Sequence, residues 1–228
     1  MKTDDSADPR HELKFVVRAQ SAGHLETWLR TCALGFVTAF PDRVVNNLYF
    51  DSVEGTALAE KLAGVSRRAK VRYRWYGEPL EIAPGRLEIK HRHNGVGWKE
   101  TFAFTEEPPA RGRAAFVGAI RRAVPAEARP WLDDLAEPTL ITRYRRSYYV
   151  SADGAVRATV DRDLEAFDQR LGAFPRLHGA APMPDILVLE LKFARAQRAR
   201  VVRQLGELAL VASACSKFEL GMRAVAGT

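Results

Sequence analysis

Between Lys70 and Tyr76 the chain reads Lys-Val-Arg-Tyr-Arg-Trp-Tyr, basic and apolar residues in alternation. A strand sends successive side chains to opposite faces, so Lys70, Arg72 and Arg74 share one face and Val71, Tyr73 and Trp75 the other. Alone, such a strand is half-buried with its cations in water. The parity returns elsewhere with an acid added. Glu12-Leu-Lys14, Glu88-Ile-Lys90 and Glu190-Leu-Lys192 each set a carboxylate and an ammonium on one face, and Arg157 and Asp161 do so over a longer run. Several strands with one charged and one apolar face fit a sheet rolled on itself, charged side inward and helices outside.

Periodicity predicts eight strands, over Arg10–Arg18, Val44–Asp51, Lys70–Tyr76, Arg86–His93, Trp98–Thr105, Leu140–Ser151, Ala155–Leu164 and Asp185–Phe193. Pro41-Asp42 bounds the second, and Asp153-Gly154 is the clearest hairpin turn. Helices are predicted from Ser21 to Cys32, from Thr56 to Leu62, within the Ala- and Arg-rich stretch 112–135, and from Ala194 to Val211. Residues 169–184 read as an irregular loop, and the closing Ser216–Gly221 segment as short and uncapped. The expected fold class is α+β, an antiparallel eight-stranded barrel with helices packed outside. It spans one domain over residues 10–222, between a disordered lead (1–9) and a short tail (223–228).

The lumen of eight strands holds side chains or one small ligand. Lys, Arg and Glu pointing into it would be costly if dry and unpaired, so the reading requires a wet lumen that takes an anion. Arg meets phosphate oxygens with a planar fork and Lys with a movable point charge. A tunnel lined by both suits a chain of phosphates better than a nucleic-acid duplex. The bulk composition agrees. The 228 residues carry a formal charge of +7, which points to an anionic partner, and the 46% hydrophobic content is enough for a sizeable core. No apolar run approaches the ~20 residues that span a bilayer, and the first ten residues lack the apolar stretch of a secretory signal. Cys32 and Cys215 stand alone, which points to a reducing cytoplasm without disulfide or zinc. His11, His91, His93 and His178 fit no zinc spacing and read as structural or mouth residues.

Taken in order, Glu12-x-Lys14-Phe, Leu48-Tyr-Phe-Asp51, Lys70-x-Arg-x-Arg-Trp-Tyr-Gly77, Leu87-Glu-x-Lys90, Lys99, Tyr144-x-Arg146, Arg157-x-x-x-Asp161, Leu189-Glu-x-Lys192 and Ser216-Lys-Phe218 carry a resemblance over residues 10–222. The chain resembles the catalytic domain of the vacuolar transporter chaperone (VTC) polyphosphate polymerases, within the CYTH-like triphosphate tunnel metalloenzymes. The resemblance implies a tunnel that adds the γ-phosphate of ATP to polyphosphate with Mn²⁺ or Mg²⁺. It implies that Lys14, Arg72, Arg74, Lys90, Lys99, Arg146 and Arg157 line the tunnel and hold phosphates, and Lys192 of the Glu-x-Lys pattern is counted with them as a catalytic residue. It adds Ser216 and Lys217 near one mouth and Glu190 as the metal carboxylate; Lys70 joins them as a phosphate contact through its strand parity. A further lysine of the fungal pattern, two residues before the serine, is replaced by Ala214. The fungal complex's phosphate-sensing domain and membrane helices have no counterpart here, so membrane translocation by this chain alone is not expected, and a membrane partner is left open.

For Glu12 and Glu88 a cross-strand salt bridge with lysine is an equal reading. Arg143 and Arg145 lie opposite Arg146 and are expected outside. Tyr73, Trp75 and Tyr76 are expected to pack beneath outer helices and not to serve as a nucleic-acid platform. Three functions stay open: polyphosphate polymerase, tunnel triphosphatase, and non-catalytic polyphosphate-binding module.

Overall fold

In the computed structural model the structure describes residues 10–227, except 79–81, 95, 107, 109–111 and 209. The lead 1–9, and Gly95 between the predicted strands Arg86–His93 and Trp98–Thr105, lie outside the described residues. Eight strands form one antiparallel sheet: β1 (Arg10–Arg18), β2 (Val37–Asp51), β3 (Arg68–Tyr76), β4 (Arg86–His93), β5 (Val96–Ala103), β6 (Glu137–Val150), β7 (Val156–Asp168) and β8 (Ile186–Ala194). Their order is β1-β8-β7-β6-β2-β3-β4-β5. The sheet curls until Glu12 of β1 meets Lys90 of β4, Nζ to Oε2 3.7 Å.

Register carries the predicted parity from strand to strand. Lys14 pairs with Glu190 and Glu190 with Thr159, while Glu12 pairs with Lys192 and Lys192 with Arg157. On the other half, Lys70 pairs with Lys90 and Lys90 with Lys99, and Arg72 faces Glu88. Opposed residues share a face, so these positions all look into the concave side.

The convex side is apolar and covered by helices. Helices α1 (Ala22–Thr31) and α5 (Arg198–Leu205) cover β1, β7 and β8, burying Trp28, Leu29 and Val201 on Phe15, Leu189 and Leu191. The Trp28 indole donates to the Gln204 carbonyl at 3.1 Å and locks the two helices together. Helices α3 (Arg113–Ala123) and α4 (Arg129–Asp134) bring Phe116, Ile120 and Leu132 onto Val71, Tyr73, Trp75, Leu87 and Ile89. Tyr73 meets the Phe116 ring edge-on at 5.6 Å. The short α2 (Thr56–Leu62) starts on Asp51, whose carboxylate accepts from the Ala57 and Leu58 amides.

Three expectations are corrected. β2 runs through Pro41-Asp42 instead of starting after it. Its pairing with β3 begins only at Val45, so the missing proline N–H is absorbed by a register shift against β6 between Phe40 and Arg43. The helix expected from Ala194 to Val211 is α-helical only over α5. The closing segment is neither short nor uncapped. It is helix α6 (Lys217–Ala226), with Ser216 Oγ accepting from the Glu219 amide. The eight-stranded antiparallel sheet curls as expected, and among the described residues the edge of β1 does not pair with β5. Residues 212–213 cover it, through a Phe15–Ala212 bridge and a bond from Ser213 N to Lys14 O of 2.8 Å.

Helix α6 sits on the concave side. Phe218 and Met222 pack against Tyr49, Leu140 and Ala166. A Cβ at Gly221 would stand 2.7 Å from Leu140 Cδ2, so a larger residue there would force the buried Leu140 side chain to shift. Among the described residues no helix is long and apolar enough to cross a membrane.

Candidate functional site

Three acidic centres organise the concave face. Glu88, on β4, is 2% exposed. Its Oε2 accepts from Arg72 Nε at 2.6 Å and lies 3.9 Å from Arg74, while Oε1 lies 3.2 Å from Lys99 Nζ. Burial alone would raise this carboxyl, but Arg72, Arg74 and Lys99 hold it well below the usual carboxylate range. Asn47 completes the cluster by accepting from Arg74 Nε at 2.8 Å.

The second centre is the pair Asp161 and Glu190. Asp161 is fully buried and takes Arg146 Nη2 at 2.7 Å and Lys217 Nζ at 2.5 Å. Glu190, opposite Thr159, takes Lys14 at 3.0 Å, Arg146 at 3.5 Å and Lys217 at 3.8 Å. Burial opposes ionisation of both; Lys217 and Arg146 lower both, and Lys14 adds to the effect on Glu190. The Tyr144 ring lies under these cations, 4.8 Å from Lys217 Nζ and 5.4 Å from Arg146 Cζ. Burial would raise its hydroxyl, but Arg146 and Arg74 lower it.

The third, Glu12, bridges Lys14 at 3.2 Å and Lys90 at 3.7 Å and so links β1 to β4. At the α6 end, Lys70 Nζ donates to Ser216 Oγ at 3.1 Å and lies 5.7 Å from the Phe218 ring. Burial, with the charges of Lys61, Lys90 and Arg68, pulls the Lys70 ammonium down to about 7.

The structure thus brings Lys14, Lys70, Arg72, Arg74, Lys90, Lys99, Arg146, Glu190, Ser216 and Lys217 onto one face. Arg157 and Lys192 oppose each other on β7 and β8 on that face, exposed, and neither reaches a carboxylate within ion-pair distance among the described residues. Arg143 and Arg145 point outward to Glu78, as expected. His91 is structural: it bonds Glu100 at 2.8 Å and stacks on Trp98. Asp161 was not among the residues singled out for the site, although its parity with Arg157 marked it. Tyr76 is a correction. It lies on the concave face beside Arg86, whose Cζ is 5.3 Å from its ring, and not in the core with Tyr73 and Trp75.

Basic side chains on this face outnumber Glu12, Glu88, Asp161 and Glu190, and the carboxylates hold the Arg planes and ammonium groups in fixed positions. Such an array is preorganised for a polyanion. No cluster of three or more His, Cys, Asp or Glu side chains able to hold a metal exists among the described residues. Mg²⁺ and similar hard ions are commonly bound by one or two carboxylates together with substrate phosphates. Glu190 and Glu12, which share the Lys14 ammonium, fit that mode.

A family model, the VTC domain, matches residues 9–226. No curated protein matches the sequence. Among solved structures, a candidate adenylyl cyclase from Hippeastrum, described as having a dominant triphosphatase activity, is 16% identical with a TM-score of 0.51, over 96% of this chain and 97% of its own. A candidate adenylate cyclase from Vibrio parahaemolyticus is 14% identical with a TM-score of 0.49, over 92% of this chain and 96% of its own. The first of these likenesses is one of fold.

Proposed function

This chain belongs to the VTC domain family, and on that premise we propose that it is a phosphotransferase that moves the γ-phosphate of ATP onto a polyphosphate chain in its basic lumen. The observation that carries the proposal is the clamped set of cations. Arg72, Arg74 and Lys99 are held by Glu88, and Lys14, Arg146 and Lys217 by Glu190 and Asp161. Phosphoryl transfer asks a protein mainly for in-line alignment and neutralisation of the equatorial oxygens.

In this reading Arg72, Arg74 and Arg146 present guanidinium forks to phosphate oxygens, and Lys14, Lys90 and Lys99 follow the charge as it shifts. Arg157 and Lys192 engage phosphates at the exposed end. Lys70, Ser216 and Lys217 engage the chain end beneath α6. Glu190, with Glu12, holds Mn²⁺ or Mg²⁺, which when bound neutralises phosphate oxygens and helps align them. The site reads as one for triphosphate and polyphosphate and not for nucleic acid. The free thiols Cys32 and Cys215 support a reducing cytoplasm.

A second reading, hydrolysis of a triphosphate, is favoured by one feature. Helix α6 covers one end of the concave face through Phe218 and Met222, which suits a short ligand. Incubating the purified protein with ATP and Mn²⁺ and resolving the products on a gel separates the two. A ladder of long chains supports the polymerase. Free phosphate without chains supports the hydrolase. Unchanged ATP overturns both in favour of a binding module.

A further inference from the structure

At the end of β3 the arginines of the concave face change their company. Arg72, Arg74 and Arg146 are held by carboxylates, but Arg43 and Arg86 reach none among the described residues. They lie on rings instead. Arg43 Cζ is 5.6 Å from the Phe40 ring, 6.0 Å from Tyr76 and 5.9 Å from Tyr148, and Arg86 Cζ is 5.3 Å from Tyr76. Phe40 meets Tyr148 edge-on at 5.9 Å yet is 55% exposed. Behind Arg43 and Tyr76 a cleft of about 320 Å³ opens toward the outward side, where Asp42, Val44, Gly77, Glu78 and Arg145 also line it.

This aromatic rim is continuous with the cationic array of the lumen. Arg43 is registered with Arg146, and Arg86 with Arg74. Arg72, Arg74 and Tyr76 occupy successive positions on one face of β3, about 6.6 Å apart at ~3.3 Å per residue. A ligand whose phosphates lie on Arg72 and Arg74 therefore delivers whatever is bonded to its outer phosphate to the rings. Flat rings and guanidinium planes without carboxylate partners stack on nucleobases.

We propose that Phe40, Arg43, Tyr76, Arg86 and Tyr148 form a nucleobase subsite at the mouth of the lumen, which makes a nucleoside triphosphate the ligand preferred over its base-free counterpart. The inference rests on the reading of the lumen as a triphosphate site. The contacts are faces of rings and guanidinium groups, so the subsite accepts adenine and guanine alike.

The test uses the full chain without metal, so that binding is read without turnover. Calorimetric affinities are measured for ATP, GTP, ribose 5-triphosphate and inorganic triphosphate, in the parent and in Phe40→Ala and Phe40→Ala/Tyr148→Ala. The parent is expected to bind ATP and GTP about tenfold more tightly than ribose 5-triphosphate, the scale of one base stacked on aromatic groups. In the double variant that advantage shrinks to about twofold or less, while ribose 5-triphosphate and inorganic triphosphate bind as in the parent, which also shows that the variant is folded. Equal binding of ATP and ribose 5-triphosphate by the parent overturns the subsite and leaves the triphosphate reading standing. So does an equal loss of all ligands in the variants. A parent that binds no triphosphate at all overturns both.

Discussion

Arg72 and Glu88 stand directly opposite each other on β3 and β4, and the Arg72 Nε donates to the Glu88 carboxylate at 2.6 Å. The contact joins a side chain implied to bind phosphate to a buried anion of the protein itself. Glu88 stands where it neutralises the array before any ligand arrives, with Arg74 and Lys99 as its other partners.

Glu88→Gln keeps the shape and removes the charge. It is expected to destabilise the chain by roughly 3–5 kcal/mol, the range for removing one partner of a buried ion pair. Triphosphate should recover more stability in the variant than in the parent, because it returns negative charge to Arg72, Arg74 and Lys99. Urea unfolding of both proteins, with and without triphosphate, checks this. Equal stability of the two without ligand contradicts it.

Much of this face was legible because strand parity is a hard geometric rule. Lys70, Arg72 and Arg74 alternate with Val71, Tyr73 and Trp75, and the structure separates them as the alternation requires. Tyr76 was misplaced where residue type was allowed to override parity; it shares the Arg74 face. Pro41 misled for a related reason. A proline ends a strand only where both edges need N–H donors, and at Pro41 β2 has only β6 beside it. The cap of α6 was written as Ser216-x-x-Glu219, a capping-box spacing. What parity could not supply was the cover over the β1 edge, since residues 212–213 pair through backbone alone.

The Lys70 ammonium gives a pH signature. Burial and neighbouring cations pull it from an ordinary 10.5 to about 7, so between these values it is largely neutral in the empty protein. A phosphate beside it favours the charged form and raises the value again. Binding in that window therefore takes up a proton, and affinity falls as pH rises through it. Calorimetry in buffers of different ionisation enthalpy, at a pH between the two values, should show this uptake in the parent. Lys70→Arg, charged throughout, should lose it. An uptake that survives in Lys70→Arg contradicts the assignment.

Glu190 and Arg72 share the lumen but are proposed to serve different partners. Glu190→Gln should abolish turnover and weaken the apparent affinity for Mn²⁺. Metal-free triphosphate binding should persist or tighten, as Asp161 still holds Arg146 and Lys217. Arg72→Ala should weaken triphosphate binding by roughly 1–3 kcal/mol, the range for a charge-assisted hydrogen bond. Titrating Mn²⁺ against activity in both variants decides the matter. An unchanged metal affinity in Glu190→Gln removes its metal role and leaves it a salt-bridge partner of Lys14, Arg146 and Lys217.

The central claim, that the concave face is a site for a chain of phosphates, is tested most directly by the melting temperature of the parent protein. Phosphate, pyrophosphate, triphosphate and duplex DNA are compared at equal concentration. Stabilisation should grow from phosphate to triphosphate as more clamped cations gain a partner. A ligand at a hundred times its Kd contributes about 2.7 kcal/mol, or roughly 5–10 °C for a chain of this size. A flat response across the three phosphates, or a larger rise with duplex DNA than with triphosphate, would contradict the account.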